Sequence, residues 1–236
     1  MTILNRSKNF FLDLLFPKFC LGCQEEGDYL CQDCQATLEI LEYQYCLCKS
    51  PLRLPEAGKC RRCLTKKLNG LYFALNYQSS FPKKLIHQFK YEPFAKGLAK
   101  PLASLIIAHF QLLANTPDFS NFIIIPIPLE EKRLKWRGFN QAEELAKELA
   151  KFLKIPLISG CLIKIKETLP QIDLSAKERE ENPRGAFLLK KGGEIKGRKV
   201  LLVDDVYTTG ATMEEAARVL KEAGVKEVWG VVVARG

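Results

Sequence analysis

The sequence has no apolar run long enough to cross a bilayer and no secretory signal. Residues 1–19 are rich in phenylalanine and leucine, but Lys8, Asp13 and Lys18 interrupt them and no small-residue cleavage site follows. We expect this segment to form a short amphipathic helix that packs on the protein. These absences exclude a membrane-spanning or secreted protein and predict a cytoplasmic one.

Low-complexity tracts are absent as well, and the only internal repeat is a set of paired cysteines near the N-terminus. The 236 residues are enough for one domain of good size and a smaller one. A net charge of +9 fits phosphate-rich ligands or nucleic acid, although it is also common in proteins that bind neither. We predict an N-terminal helix and cysteine-rich module over residues 1–69, and an α/β domain over residues 70–236.

Eight of the 9 cysteines form four close pairs between residues 20 and 63. Paired thiols in a reducing cytosol are typical metal ligands, and two pairs make a tetrahedral zinc site. Residues 20–65 hold too few apolar side chains for a core of their own, so metal binding would supply folding free energy. We expect one or two structural zinc ions, and the candidate ligands are Cys20, Cys23, Cys31, Cys34, Cys46, Cys48, Cys60 and Cys63.

The pairing of these ligands stays open from the sequence. The first four cysteines have the usual spacing, whereas Cys46-x-Cys48 is one residue short of a standard knuckle, which weakens the second site. Either neighbouring pairs share a metal, or the outer pairs bind one ion and the inner pairs the other; disulfides are a further alternative. Four basic residues beside the last pair fit a nucleic-acid contact or a solvated surface equally well: Arg61, Arg62, Lys66 and Lys67.

A second feature is a predicted buried strand at residues 200–203 that runs into a hydroxyl-rich loop and then an amphipathic helix. The N-terminus of such a helix directs free N–H groups and its positive dipole end at the loop, which therefore fits a phosphate. The loop is not a P-loop, because the Gly-x-x-x-x-Gly-Lys pattern is missing. The candidate residues are Tyr207, Thr208, Thr209, Gly210, Ala211 and Thr212.

Asp204 and Asp205 stand between this strand and the loop. Carboxylates accept hydrogen bonds from hydroxyls and bind hard cations, so the pair suits ribose hydroxyls or a Mg²⁺-bound sugar. A phosphate beside a diol is a 5-phosphoribosyl group, which is the predicted ligand. The alternative is an ordinary strand–helix turn with a well-capped helix, since Thr212 and Glu215 have the spacing of a capping box.

A second anion site is predicted after the apolar strand at residues 122–129. A basic loop with a glycine follows it, and then a helix from Ala142 to Leu153 with Asn140 as N-cap. The candidate residues are Pro126, Pro128, Arg133, Arg137, Gly138 and Asn140. Residues 166–187 are too long and too charged for a tight turn and are expected to form a flexible lid, with Lys166, Thr168, Gln171, Arg179 and Arg184.

Together these pieces resemble the ComF family, in which a double zinc ribbon is joined to a type I phosphoribosyltransferase domain. The resemblance covers nearly the whole chain, and the Cys46-x-Cys48 spacing departs from it. The matching segments are the cysteine pairs, residues 89–91, 126–129, 133–141, 168–171 and 179–187, and the Asp-Asp and Thr-Thr-Gly-Ala-Thr runs.

The resemblance implies a parallel-sheet core with flanking helices and a site for phosphoribosyl pyrophosphate (PRPP) with Mg²⁺. It assigns the 5-phosphate to residues 208–212 and the ribose to the catalytic candidates Asp204 and Asp205. The pyrophosphate and Mg²⁺ fall to residues 126–141. The implied reaction transfers the 5-phosphoribosyl group to an unidentified acceptor, and the implied role is natural competence, the uptake of single-stranded DNA.

Three functions remain open: an active transferase, a single-stranded-DNA-binding factor of the competence machinery, and a regulator that binds PRPP without turnover. A PRPP site is common to all three, so the motif does not separate them. No aromatic stacking platform for a single strand is evident in the sequence. Competence proteins are possible partners by resemblance, and a homodimer is left open.

Overall fold

The computed structural model describes residues 17–91, 95–166, 183–190 and 193–236. Residues 1–16 of the predicted N-terminal helix and the lid residues Thr168, Gln171 and Arg179 lie outside these ranges, and residues 17–19 are not helical. None of the described helices is both long enough and apolar enough to cross a membrane. The helices are α1 (Gln32–Ala36), α2 (Ser80–Tyr91), α3 (Ala99–Leu112), α4 (Glu131–Arg137), α5 (Gln141–Leu153) and α6 (Ala211–Glu222).

The strands are β1 (Gln44–Tyr45), β2 (Arg53–Leu54), β3 (Gly70–Asn76), β4 (Phe122–Pro126), β5 (Leu162–Lys164), β6 (Phe187–Leu189), β7 (Lys199–Val203), β8 (Val206–Tyr207) and β9 (Glu227–Arg235). A parallel sheet in the order β3–β9–β7–β4 forms the centre, and β8 pairs with the end of β9. Pro126 pairs with Val203, so the carboxyl ends of β4 and β7 lie side by side. The predicted parallel α/β core is confirmed.

Both faces of this sheet are covered, which explains why its strands are apolar at nearly every position. On β7, Leu201 and Val203 face a core that includes α2, α3 and α5. The alternate residues Val200 and Leu202 face a second core with α6 and the antiparallel hairpin of β5 and β6. Successive side chains of a strand point to opposite faces, so one short run supplies both cores.

The segment after β4 differs from the prediction, because the expected basic loop contains the short helix α4. This helix ends at Gly138, whose φ of +77° is the left-handed conformation that favours glycine at a helix end. Its apolar residues are exposed: Leu134 by 39% and Trp136 by 68%. Without a buried face the helix lacks the apolar periodicity that predicts a helix from sequence.

The eight paired cysteines gather in two clusters of four: Cys20, Cys23, Cys31 and Cys34, and Cys46, Cys48, Cys60 and Cys63. Sγ–Sγ distances include 3.6 and 3.7 Å in the first cluster and 3.5 and 3.6 Å in the second. Four thiolates around a zinc ion lie about 3.8 Å apart at the usual Zn–S length, so both clusters fit structural zinc. Neighbouring pairs therefore share a site. The interleaved alternative is wrong because each cluster joins neighbouring pairs. The disulfide alternative is wrong because all cysteines are free.

The second cluster forms despite its short first pair because the chain folds back as a hairpin. β1 and β2 pair antiparallel, and the Cys46 N–H donates to the Leu52 carbonyl over 2.9 Å. The Leu52 N–H in turn donates to Cys46 Sγ over 3.2 Å. This sulfur is thus held by a backbone donor, as thiolate ligands commonly are, and the one-residue deficit is absorbed by the hairpin.

The cysteine-rich module is docked on the sheet rather than detached from it. The Leu41 N–H donates to the Ala74 carbonyl on the edge strand β3 over 2.8 Å, and Lys84 Nζ donates to the Leu21 carbonyl over 2.7 Å. Cys46 and Cys63 lie in the same apolar core as β7 and α6. An exposed sheet edge is a liability, and the module covers it. β3 begins at Gly70, the first residue of the predicted α/β domain, and the division of the chain into two domains stays a prediction.

We predict two zinc ions per chain by elemental analysis of purified protein, and one in Cys48→Ser. This variant is also expected to melt several degrees lower, because the second cluster shares a core with the sheet. Cys161→Ser is the matched control, since Cys161 is buried but outside both clusters and donates only to the Ile158 carbonyl. A single zinc in the unaltered protein would contradict the second site.

Candidate functional site

The acidic pair stands at the carboxyl end of β7, where the sheet backbone holds it rigidly. The Asp204 N–H donates to the Val231 carbonyl over 3.0 Å, and the Asp205 carbonyl accepts from the Val233 N–H over 3.0 Å. Within the pair, the Asp205 N–H donates to Asp204 Oδ1 over 2.9 Å. The two carboxyl groups are therefore positioned by β9 as well as by their own strand.

The two carboxyls differ in charge compensation. Lys90 Nζ, from the end of α2, lies 2.7 Å from Asp205 Oδ1. Burial acts to lower the pKa of Lys90, but Asp205 and then Asp204 outweigh it and raise that pKa. Burial and the neighbouring Asp205 raise the pKa of Asp204 to about 7. The half-buried Asp204 is thus a carboxyl without full compensation, suited to accept hydroxyl hydrogen bonds or bind a cation.

Two lysines at this site were not among the predicted residues. Lys90 lies in the matching segment at residues 89–91 without a predicted role, and only the fold brings it to Asp205. Lys164, the last residue of β5, lies in the field of Arg133 and of Asp204; burial and Arg133 lower its pKa, and Asp204 opposes this. Nothing in the sequence around Lys164 predicts that it lies near the acidic pair, because it is a single lysine in a three-residue strand.

Gly210 shapes the loop that follows the acidic pair. Its φ is +81°, and a Cβ on it would lie 2.1 Å from Tyr207 Oη, so both conformation and space demand glycine. The Ala211 N–H donates to Thr209 Oγ1 over 3.3 Å. The remaining N–H groups of the first turn of α6 have no partner within the helix and face the loop. The predicted phosphate loop therefore has the geometry of an anion site at a helix N-terminus.

The predicted capping box on this helix is wrong. α6 begins at Ala211 with Gly210 as N-cap, so Thr212 is already its second residue. Glu215 instead accepts from the Gly185 N–H over 2.8 Å and pairs with Arg218 at 2.7 Å. With Thr212 as N-cap the helix would start at Met213, whereas the left-handed Gly210 starts it two residues earlier, at Ala211.

The predicted pyrophosphate segment joins β4 to α5. Asn140 is the N-cap, as predicted: its Oδ1 accepts from the Ala142 N–H over 3.1 Å, and its Nδ2 donates to the Ile127 carbonyl over 3.0 Å. Arg137 Nη1 donates to Gln141 Oε1 over 3.0 Å, while its buried Nε has no partner among the described residues. Arg133 Nε lies 3.8 Å from Glu130 Oε2. Arg133 and Arg137 therefore lie near the carboxyl end of the sheet, where the acidic pair stands.

The structure brings the acidic pair, the phosphate loop and residues 126–141 to one end of the sheet. Lys166 and Arg184 are exposed and flank residues 167–182, the part of the predicted lid that lies outside the described ranges. The base of that segment is the β5–β6 hairpin, continued by the Ile165 N–H donating to the Ala186 carbonyl over 2.8 Å. A separate cavity of about 840 Å³ shares no residue with this end of the sheet.

Aromatic side chains are exposed beside this site, which the sequence did not suggest. The Tyr91 and Trp136 ring centroids lie 6.2 Å apart, and the rings of His87 and Tyr91 lie 4.7 Å apart. Tyr91 is 41% and Trp136 68% exposed, and the Arg137 guanidinium lies 5.0 Å from the Tyr91 ring centre. These three rings form an aromatic patch drawn from α2 and α4. Their separation along the chain explains why no platform was evident from sequence.

Comparison with known proteins matches both parts of the chain. Residues 136–236 match the phosphoribosyl transferase domain family, and residues 11–64 match the double zinc ribbon domain family. Competence protein F of Haemophilus influenzae is 34% identical over 208 residues, covering 86% of this chain and 89% of that protein. DNA utilization protein YhgH of Escherichia coli K12 is 32% identical, covering 72% and 75%. Competence protein ComFC of Streptococcus pneumoniae is 29% identical, covering 87% of each.

We predict that Asp204→Asn raises the melting temperature of the unliganded, Mg²⁺-free protein at pH 8 by roughly 3 °C or more. The pKa of Asp204 rises from an ordinary value of 3.8 to about 7 on folding. The folded state therefore holds this proton more tightly, and stability falls as pH rises from about 4 to 7. Asparagine keeps the acceptor oxygen for the Asp205 N–H but removes the charge.

Thermal melts from pH 4 to pH 8 check this prediction. The difference between the two proteins should shrink steadily towards pH 4, where the folded protein carries a protonated Asp204. Asp118→Asn is the control, because hydrogen bonds from Ser120 lower the pKa of Asp118, and the variant should gain no stability at pH 8. A gain from Asp204→Asn that is the same at every pH would contradict the assigned pKa.

Proposed function

Because the chain belongs to the ComF family of competence proteins, we propose that it binds PRPP with Mg²⁺ and transfers the 5-phosphoribosyl group. The proposed role is in natural competence, the process after which its relatives are named. The names of the related competence proteins support this role, and the residues of the site support the chemistry. The acceptor is a nitrogen nucleophile whose identity the residues do not specify.

The observation that carries this proposal is that two adjacent carboxyls and an anion loop lie on the same connection between a strand and a helix. Asp204 and Asp205 stand three and two residues before Tyr207, and α6 begins at Ala211, within the candidate phosphate segment. A 5-phosphoribosyl group needs donors for its phosphate and acceptors for its hydroxyls within one sugar length. A plain structural turn has no need for two adjacent carboxyls, one of them half-buried and with a raised pKa.

The proposed reaction exchanges two bonds at C1 of the ribose. The bond from C1 to the pyrophosphate oxygen breaks, the bond from C1 to the acceptor nitrogen forms, and the nitrogen loses a proton. The developing positive charge on the ribose favours nearby carboxylates, so Asp204 and Asp205 would both orient the sugar and stabilise that charge. The chain needs no strong nucleophile of its own for this displacement.

The remaining residues would hold the two ends of the substrate. The backbone N–H groups of residues 208–212 would bind the 5-phosphate. Arg133, Arg137 and the N-terminus of α5 would face the pyrophosphate. Mg²⁺, for which the uncompensated carboxyl of Asp204 is a fitting oxygen donor, would neutralise the leaving pyrophosphate. The exclusion of water by the segment at residues 166–187 stays a prediction.

A direct test is calorimetric titration of the zinc-loaded protein with PRPP and Mg²⁺, followed by phosphorus NMR of the same sample. We expect binding in the micromolar range and slow release of pyrophosphate. The Asp204→Ala, Asp205→Ala double variant loses the partner of Lys90, so its melting temperature must first show that it is folded. It should then weaken PRPP binding at least about tenfold, because both sugar acceptors are lost. Glu222→Ala, on the exposed end of α6, is the control. Absence of binding by the unaltered protein would overturn the proposal.

Binding of single-stranded DNA is the second candidate function, and the aromatic patch favours it. Exposed rings beside an arginine can stack bases, each worth about 1–3 kcal/mol. In fluorescence anisotropy with an oligothymidylate, the Tyr91→Ala, Trp136→Ala variant should bind at least about tenfold more weakly. Phe152→Ala, 51% exposed on α5, should bind normally. Equal binding by all three proteins would exclude the patch from DNA recognition, whatever the outcome with PRPP.

A further inference from the structure

A cavity of about 370 Å³ lies between the second cysteine cluster and the phosphate loop. Lys49, Arg62 and Lys66 line it from the module, and Thr208, Thr209 and Arg235 line it from the domain. Two distant parts of the chain thus meet around one space. Its volume is within the range of small-molecule sites.

The walls of this cavity are positively charged. Four of its lining residues are cations, and none of the described residues that line it is a carboxylate. Two zinc-ligand cysteines also line it, and a zinc ion with four thiolates carries a net charge of about −2. The four cations outweigh that charge, so the cavity favours an anion.

Arg235 holds the two walls together at the back of the cavity. It is only 6% exposed, and its Nη1 donates to the Cys46 carbonyl over 2.6 Å. Its other terminal nitrogen donates to the Cys48 carbonyl, and its guanidinium lies 5.3 Å from the centre of the Tyr207 ring. The charge of Arg235 is therefore satisfied by neutral carbonyl groups rather than cancelled by a carboxylate.

Tyr207 supplies an independent sign of a ligand. This residue is 2% exposed and lines the cavity, yet its hydroxyl has no hydrogen-bond partner among the described residues. Burial raises the pKa of Tyr207, so the phenol keeps its proton and can donate. A buried polar group without a partner is unfavourable, and a ligand oxygen in the cavity would satisfy it.

We propose that this cavity binds a phosphate group, with Arg62 and Lys66 of the zinc module as ligands beside the Thr208 and Thr209 hydroxyls. A guanidinium, an ammonium and several hydroxyls offer the many donors that phosphate oxygens accept. The inference deepens the proposed function, since it extends the same phosphate loop. The phosphate would be the 5-phosphate of the ribosyl ligand or a phosphate carried by the acceptor.

The test is calorimetric titration of the zinc-loaded full chain with inorganic phosphate and with ribose 5-phosphate. Arg62→Gln, Lys66→Gln should weaken the binding of both probes by about 30-fold or more, because two charge-assisted hydrogen bonds are lost. The control is Arg61→Gln, Lys67→Gln, which removes the same charge from the same segment. Neither Arg61 nor Lys67 lines the cavity, so this variant should bind within about threefold of the unaltered protein.

Zinc content and melting temperature are measured for both variants, since Arg62 adjoins the ligand Cys63. If the double variant loses zinc, Lys66→Gln alone carries the test, with an expected loss of about fivefold or more. Equal affinity of the cavity variant and its control, with zinc retained, would overturn the proposal. The proposal would also be overturned if the unaltered protein bound neither probe at millimolar concentration.

Saturation with PRPP separates the two sources of the phosphate. If PRPP abolishes the binding of inorganic phosphate, the cavity binds the 5-phosphate. If inorganic phosphate still binds in the presence of PRPP, and the Arg62→Gln, Lys66→Gln variant loses that binding, the cavity binds a phosphate of the acceptor. The inorganic phosphate titration does not require PRPP to bind. Failure of the proposed function, tested through Asp204 and Asp205, is therefore distinguishable from failure of this inference.

Discussion

The ion pair between Lys90 and Asp205 is the contact on which the arrangement of the site depends. It joins the end of α2 to the carboxyl end of β7, with Nζ and Oδ1 2.7 Å apart. Removing Lys90 would leave the buried carboxylate of Asp205 without its partner, which is destabilising. The pair also divides the roles of the two carboxyls: Asp205 is neutralised by the protein, and Asp204 keeps a raised pKa.

The zinc module is a structural part of the domain. Its backbone covers the edge of β3 through the Leu41–Ala74 hydrogen bond, and Cys46 and Cys63 lie in the core beneath the sheet. Arg235, at the end of the central strand β9, donates to the carbonyl groups of two cysteine ligands. A short chain of buried contacts through Arg235 and Tyr207 thus joins the second cysteine cluster to the phosphate loop.

Features contiguous in the sequence were predictable, and features assembled by the fold were not. The cysteine pairs, the strand before Asp204 and the Asn140 cap each lie within a few residues, so spacing and hydropathy sufficed. The partner of Asp205 comes from over a hundred residues earlier, and the aromatic patch joins two helices, so no local pattern reports them. The capping box failed because Gly210 adopts a left-handed conformation that starts α6 at Ala211. The sequence did not show which cysteine pairs share a zinc site, because the second cluster is formed by the hairpin of β1 and β2.

The most direct test of the central claim is a crystal structure of the zinc-loaded protein with PRPP and Mg²⁺. The account predicts the 5-phosphate at the N–H groups of residues 208–212 and the ribose hydroxyls within hydrogen-bond distance of Asp204 or Asp205. PRPP bound elsewhere on the chain, or an acidic pair that contacts only Lys90 at saturating PRPP, would contradict it.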